Sequence, residues 1–167
     1  EDVIQIFAIV KKRIKSKLLL IGDGPERKNM EDLCRHLNLC DEIRFLGKQE
    51  AVEELLAIAD LFILPSETES FGLAALEAMA CEVPVISSNA GGIPEVNIDG
   101  VTGYMCPIGD VNGMAQRCIE LLNDEESLNM FRRNAFLQAK RFDISAILPQ
   151  YENFYNEIIE KVKLSVL

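Results

Sequence analysis

Apolar residues open the chain at helical spacing: Val3, Ile6, Phe7, Val10 and Ile14 share one face of a 3.6-residue repeat. The pattern then changes. Leu18-Leu19-Leu20-Ile21 is a short, continuously apolar run that stops at Gly22-Asp23-Gly24-Pro25, which predicts a strand followed by a loop. A polar helix is expected over about 26–39, a strand over 43–46 ending at Gly47, a helix around 52–59 and a strand over 61–64 closed by Pro65. Further on, the spacing predicts a helix over 73–80, a strand over 83–86, a short helix at Pro94-Glu95 and a strand over 103–105. Three helices complete the chain, over 111–122, 125–140 and about 145–162, with Asp110 and Asp124 as N-caps of the first two. Strands without polar alternation, each followed by a helix, suit a parallel sheet covered on both faces. The fold class is therefore α/β, a doubly wound Rossmann-like parallel sheet with helices on both faces, in one domain spanning 1–167.

The 167-residue length is that of one domain, able to bury about two thirds of its unfolded surface. No apolar run approaches the roughly 18 residues of a membrane span. A net charge of −10 argues against nucleic acid or an anionic membrane as the main partner. The one basic cluster, Lys11, Lys12, Arg13, Lys15 and Lys17, is expected to close the first helix as a solvated face. Five cysteines, an odd number without a C-x-x-C pair, suggest neither a zinc site nor a disulfide framework, and a reducing cytoplasm fits them. The chain starts inside a helix with no initiator Met, so a longer protein is expected. The last helix carries a broad apolar stripe that includes Ile147, Tyr151, Phe154, Ile158 and Ile159, suited either to covering the sheet or to packing against a partner lobe.

Chemistry is expected in the loops at the carboxyl ends of the strands, where helix N-termini offer free N–H groups. The Gly22-x-Gly24 loop is superficially like a dinucleotide fingerprint, but Arg27 stands where the third glycine belongs, and Phe45-Leu46 leads into Gly47-Lys48-Gln49 with no acid for a ribose. The stronger loop is Pro65 to Leu73. Gly72, at a helix start, lets a phosphate approach the backbone, and Gly72 and Leu73 can donate N–H groups to it. Glu69 in that loop is suited to accept hydrogen bonds from sugar hydroxyls, and Glu77, eight residues on, to do the same for a ribose. Because Glu77 sits in the apolar run Leu73-Ala74-Ala75-Leu76-Glu77-Ala78-Met79, it is expected to face a polar pocket or a ligand. Asn89 to Glu95, with Gly91-Gly92, is a second candidate for close approach, or simply a turn. His36, the only histidine, belongs on a polar helix surface, and no catalytic triad or metal cluster can be assembled from the remaining residues.

Taken in order, Gly22-Asp23-Gly24-Pro25, Phe45-Leu46-Gly47, Ala59-Asp60, Pro65-Ser66, Glu69-Ser70-Phe71-Gly72-Leu73, Glu77-Ala78-Met79-Ala80-Cys81, Pro84-Val85-Ile86, Gly91-Gly92-Ile93-Pro94-Glu95 and Gly103 resemble the C-terminal lobe of the family 4 retaining glycosyltransferases. The resemblance implies one lobe of a two-lobe GT-B enzyme that binds a nucleotide diphosphate sugar, UDP-linked by expectation, and needs no cofactor or metal. It implies a donor site of Gly22, Gly47, Lys48, Glu69, Ser70, Phe71, Gly72, Leu73 and Glu77, with Glu69 as the catalytic residue. In that reading Gly47 and Lys48 lie near the base, Glu69 meets the sugar hydroxyls and Glu77 holds the ribose. The N-terminal acceptor lobe would pack on the last helix and be absent here, leaving the lobe inactive alone. The wording at 22–26, 45–49 and 52–56 is most similar to family members that join N-acetylglucosamine to L-malate. The sequence departs from the family at Glu82, where a glycine is usual in the turn before Val83-Pro84. Rival readings are a catalytically silent nucleotide-sugar binding or interaction module and a UDP-sugar epimerase of related architecture.

Overall fold

The computed structural model describes residues 1–165, which form α1 (Asp2–Lys11), β1 (Leu18–Ile21), α2 (Arg27–His36), β2 (Ile43–Gly47), α3 (Val52–Leu56), β3 (Phe62–Leu64), α4 (Leu73–Ala80), β4 (Val85–Ser88), α5 (Ile93–Val96), β5 (Gly103–Cys106), α6 (Val111–Leu122), α7 (Glu125–Lys140) and α8 (Ile144–Ser165). Every strand pairing is parallel. The strands lie in two groups, β1 beside β2 and then β3-β4-β5, instead of one unbroken sheet. The α/β, parallel, helix-covered architecture is as the apolar runs predict.

Three apolar clusters hold the layers together. Ile6 and Val10 of α1 pack with Ile86, Met114, Cys118 and Phe131, joining the first helix to α6, α7 and the larger sheet. Ala75, Ala78 and Met79 of α4 pack with Val83, Val85, Val96 and Ala135. Ile4 and Phe7 reach the other way, to Cys34, Leu39 and Ile43 under the smaller sheet. One helix thus stitches both strand groups because its apolar stripe is wide enough to serve two clusters. Asp110 and Asp124 cap α6 and α7 as expected, accepting from Gly113 N–H and Ser127 N–H.

Two expectations need correction. The basic cluster does begin at the end of α1, with Lys11 in the last turn and Lys12 at the C-cap, while Arg13, Lys15 and Lys17 lie in the connection beyond. It is not all solvated, however: Lys11 and Lys17 grip the Glu42 carboxylate at 3.0 and 2.7 Å, fastening that connection to the approach to β2. The reading in which the last helix covers the sheet fails as well. Along α8, Ile144, Leu148, Tyr151, Phe154, Tyr155 and Ile159 are all exposed, Tyr155 by 61 %.

Candidate functional site

Because the strands of each group run parallel, the loops that follow them gather at one edge of that group. Behind the smaller sheet, Gly22 and Gly47 meet directly: Gly22 N–H donates to the Gly47 carbonyl at 2.8 Å. Both have positive φ, 118° and 68°, which glycine adopts without strain. Lys48 follows, exposed, and Gln49 Nε2 donates back to the Leu46 carbonyl at 2.7 Å. Arg27 lies nearby, bonded to Glu31 at 3.0 Å and within 3.9 Å of Asp23.

Behind the larger sheet, the chain leaves β3 and turns at Glu69 into α4. Gly72 is buried at the N-cap with φ 97°, so the helix start requires a glycine. The Glu69 carboxylate folds over this start: its Oε1 accepts from Gly72 N–H at 3.2 Å and from Phe71 N–H at 3.4 Å. Glu69 and the helix donors are therefore brought together, and the carboxylate holds donors that an anionic ligand would use. Ser70 is exposed and Leu73 is 64 % exposed, while Phe71 stacks edge-on against Phe142 with ring centroids 5.8 Å apart. A groove of about 620 Å³ opens beside them, lined by Phe71, Leu73, Leu76, Ile147, Tyr151 and Phe154.

Glu77 is exposed, so no burial cost has to be offset there. One turn beyond Leu73 on the same helical face, it points to solvent as Leu73 does.

The sequence did not reveal what Gly91 and Gly92 do. Gly92 N–H donates to the Glu69 carbonyl at 3.3 Å, and a Cβ on Gly91 would lie 1.6 Å from that same oxygen. On Gly92 it would lie 2.6 Å from the Ser70 carbonyl. The close approach is made to the site loop, which these glycines hold in place. A buried polar network supports the loop after β4: Asn97 donates to Ser87 Oγ at 2.9 Å and to the Val85 carbonyl at 3.2 Å, and accepts from Thr102 Oγ1 at 2.8 Å. Only the fold reveals it, since its members are scattered over three elements.

The sequence model of the glycosyl transferases group 1 matches residues 1–138. The chain belongs to that family. It is 47 % identical over 98 % of its length to N-acetyl-alpha-D-glucosaminyl L-malate synthase of Bacillus anthracis, covering 43 % of that protein. It is 32 % identical over 90 % of its length to 2-deoxystreptamine N-acetyl-D-glucosaminyltransferase of Niallia circulans, covering 41 % of it. Among solved structures, sucrose-phosphate synthase from Thermosynechococcus elongatus superposes with a TM-score of 0.83 at 30 % identity, over 95 % of this chain and 42 % of that one. Anabaena Alr3699/HepE in complex with UDP gives 0.84 at 27 % identity, over 92 % of this chain and 44 % of the other. The chain thus spans less than half the length of these relatives. The two solved structures share its fold, that of the GT-B glycosyltransferases. Among the described residues no helix is long and apolar enough to cross a membrane.

Proposed function

We propose that this chain is the donor-binding lobe of a retaining hexosyltransferase that moves N-acetylglucosamine from a UDP-linked donor to a small acceptor, L-malate, and that it is inactive without an N-terminal acceptor lobe seated against α8. The 47 % identity to the malate-using synthase over nearly the whole chain supports this reading most strongly. Relatives bound to UDP support the choice of nucleotide. In the proposed role Glu69 releases the α4 start to meet the donor sugar hydroxyls, and the freed N–H group of Gly72 joins that of Leu73 in facing the diphosphate. Glu77 accepts from the ribose diol, Gly47 and Lys48 border the base, and Gly22, Ser70 and Phe71 complete the walls. Leaving-group stabilisation by helix N–H groups and by cations supplied from outside residues 1–167, without a divalent metal ion, is the main catalytic term in this scheme.

Titration of the protein with UDP, GDP and NAD, followed by amide shifts at residues 69–77, tests it. Saturable shifts with UDP alone are expected, and Glu77→Ala is expected to weaken UDP-sugar binding by about 1–3 kcal/mol, the cost of leaving ligand hydroxyls unpaired. Equal shifts with NAD, or unchanged affinity in the variant, would overturn the nucleotide assignment or the ribose role. Release of UDP on adding L-malate to the full-length protein, with no epimerisation of the donor when malate is withheld, separates transferase from epimerase and from a silent module.

A further inference from the structure

The fold brings two cysteines into contact that the sequence keeps apart. Cys34, near the end of α2, is 1 % exposed, and its thiol donates to Cys40 Sγ at 3.2 Å. Cys40 lies in the connection to β2 and is exposed. Backbone geometry explains the approach. Asn38 adopts φ 56°, Leu39 N–H donates to the Cys34 carbonyl at 3.0 Å, and Asn38 N–H donates to the Arg35 carbonyl at 3.1 Å, the paired bonds of a Schellman helix end. The chain therefore reverses over the last turn of α2, and residue 40 returns beside residue 34. A second turn, in which the Glu42 and Ile43 N–H groups both donate to the Leu39 carbonyl, leads into β2. From that strand Arg44 Nη1 donates to the Cys40 carbonyl at 3.0 Å. Leu39 and Ile43 pack with Cys34 in the apolar cluster under the smaller sheet, so the backbone on both sides of Cys40 is anchored.

We infer that Cys34 and Cys40 are a modification site for peroxide, at which Cys40 takes the oxidant, Cys34 resolves it and a reversible disulfide forms. Accessibility sets the roles, since Cys40 is open to solvent and Cys34 is buried. In the first step the Cys40 thiolate attacks one peroxide oxygen, the O–O bond breaks, and the departing hydroxide takes up a proton and leaves as water. Cys40 is then a sulfenic acid. In the second step the Cys34 sulfur attacks that of Cys40. The S–S bond forms as the S–O bond breaks, and the Cys34 proton leaves with the hydroxide as a second water. Two thiols are oxidised and one peroxide is reduced to two waters. Burial, then the hydrogen bond to Cys40, pushes the Cys34 thiol up to about 11, which keeps it protonated until a sulfenic acid arises beside it. A disulfide bond is about 2.05 Å long, so sulfurs already in contact have only a small approach to complete. An exposed bridge is of the readily reduced kind, and a dithiol reductant restores both thiols. The pair sits at the entry of β2, opposite its Gly47 end, so the bridge acts on the stability of the fold and stands apart from the donor assignment.

Peptide mapping of the protein after treatment with equimolar hydrogen peroxide tests it. Trypsin cuts after Lys28, Arg35 and Arg44, so the bridge joins peptide 29–35 to peptide 36–44, and dithiothreitol separates them again. That linked pair is the expected product. The thermal midpoint should rise on oxidation by on the order of 5 °C, because the bridge closes a short loop in the unfolded chain. Cys40→Ser should abolish both responses. Cys34→Ser should stop the reaction at a sulfenic acid on Cys40, which dimedone traps, and the mapping of the unsubstituted protein decides the matter without this variant. Cys40 oxidised while Cys34 stays a thiol, a bridge between two copies through Cys40, or no reaction at either sulfur would overturn the inference. A midpoint unchanged or lowered by the bridge would overturn its stabilising role.

Discussion

Glu69 is tied to its own helix, and that sets the terms on which the site can bind an anion. Its Oε1 already accepts from Phe71 N–H and Gly72 N–H, so a phosphate arriving at the start of α4 competes with a carboxylate for the same donors. Glu82 shows a different kind of residue-scale constraint. It has φ 61°, a left-handed conformation that favours glycine, at the turn between α4 and β4. The strain is worth about 1–2 kcal/mol and is partly offset by the greater freedom a glycine would have when unfolded, about 0.4–1 kcal/mol. Glu82→Gly should therefore raise stability by about 0.5–1 kcal/mol in urea denaturation, and a lower midpoint would mean that the Glu82 side chain makes contacts worth more than the strain. At Glu42, hydrogen bonds from Lys17 and then Lys11 depress the carboxyl from 4.5 to about 2. A depressed carboxylate stabilises the fold above its unfolded value, and this contribution is lost as pH falls from about 4.5 to about 2. Glu42→Gln should flatten the acid-side stability profile in that window, and an unchanged profile would assign the acid sensitivity to other groups.

At the scale of elements, the α4 loop and the α5 loop form one unit, because Gly91 and Gly92 bring two backbones into contact where any side chain would intrude. Gly91→Ala puts a methyl 1.6 Å from the Glu69 carbonyl and requires φ 51° of a residue with a Cβ. Overpacking and left-handed strain together should cost about 2–5 kcal/mol in denaturant unfolding. UDP-sugar affinity should fall in parallel, because the loop that carries Glu69 has to move. Stability lost without affinity would show that the loop keeps its place by other means. The strands and most helices were legible in the sequence because buried parallel strands leave continuous apolar runs and amphipathic helices leave periodic ones; even the caps Asp110 and Asp124 could be read from position. Glu77 was harder to read. Alanine is compatible with either face of a helix, so the run around Glu77 looked apolar although one side of α4 is open to solvent. The Gly91-Gly92 contact and the Asn97–Thr102 network depend on residues brought together by the sheet, and no local pattern encodes them.

For the whole molecule, charge sets a test that no single residue can. A net charge of −10, with Glu69 and Glu77 at the proposed site, repels a diphosphate that the helix donors attract at short range. Long-range repulsion is screened by salt while contact hydrogen bonds are not, and the Debye length falls from about 30 Å at 0.01 M to about 10 Å at 0.1 M. UDP should therefore bind the 167-residue chain as tightly or more tightly as salt rises through that range, measured by calorimetry. A phosphate site dominated by cations behaves in the opposite way. Weaker binding with salt would show that Lys48 and Arg27 outweigh the acidic surface locally, despite the ion pairs that engage Arg27. Should the longer polypeptide reverse the sign while this chain does not, the difference would locate the cations that neutralise the diphosphate in the part of the protein outside residues 1–167, as the proposed mechanism requires.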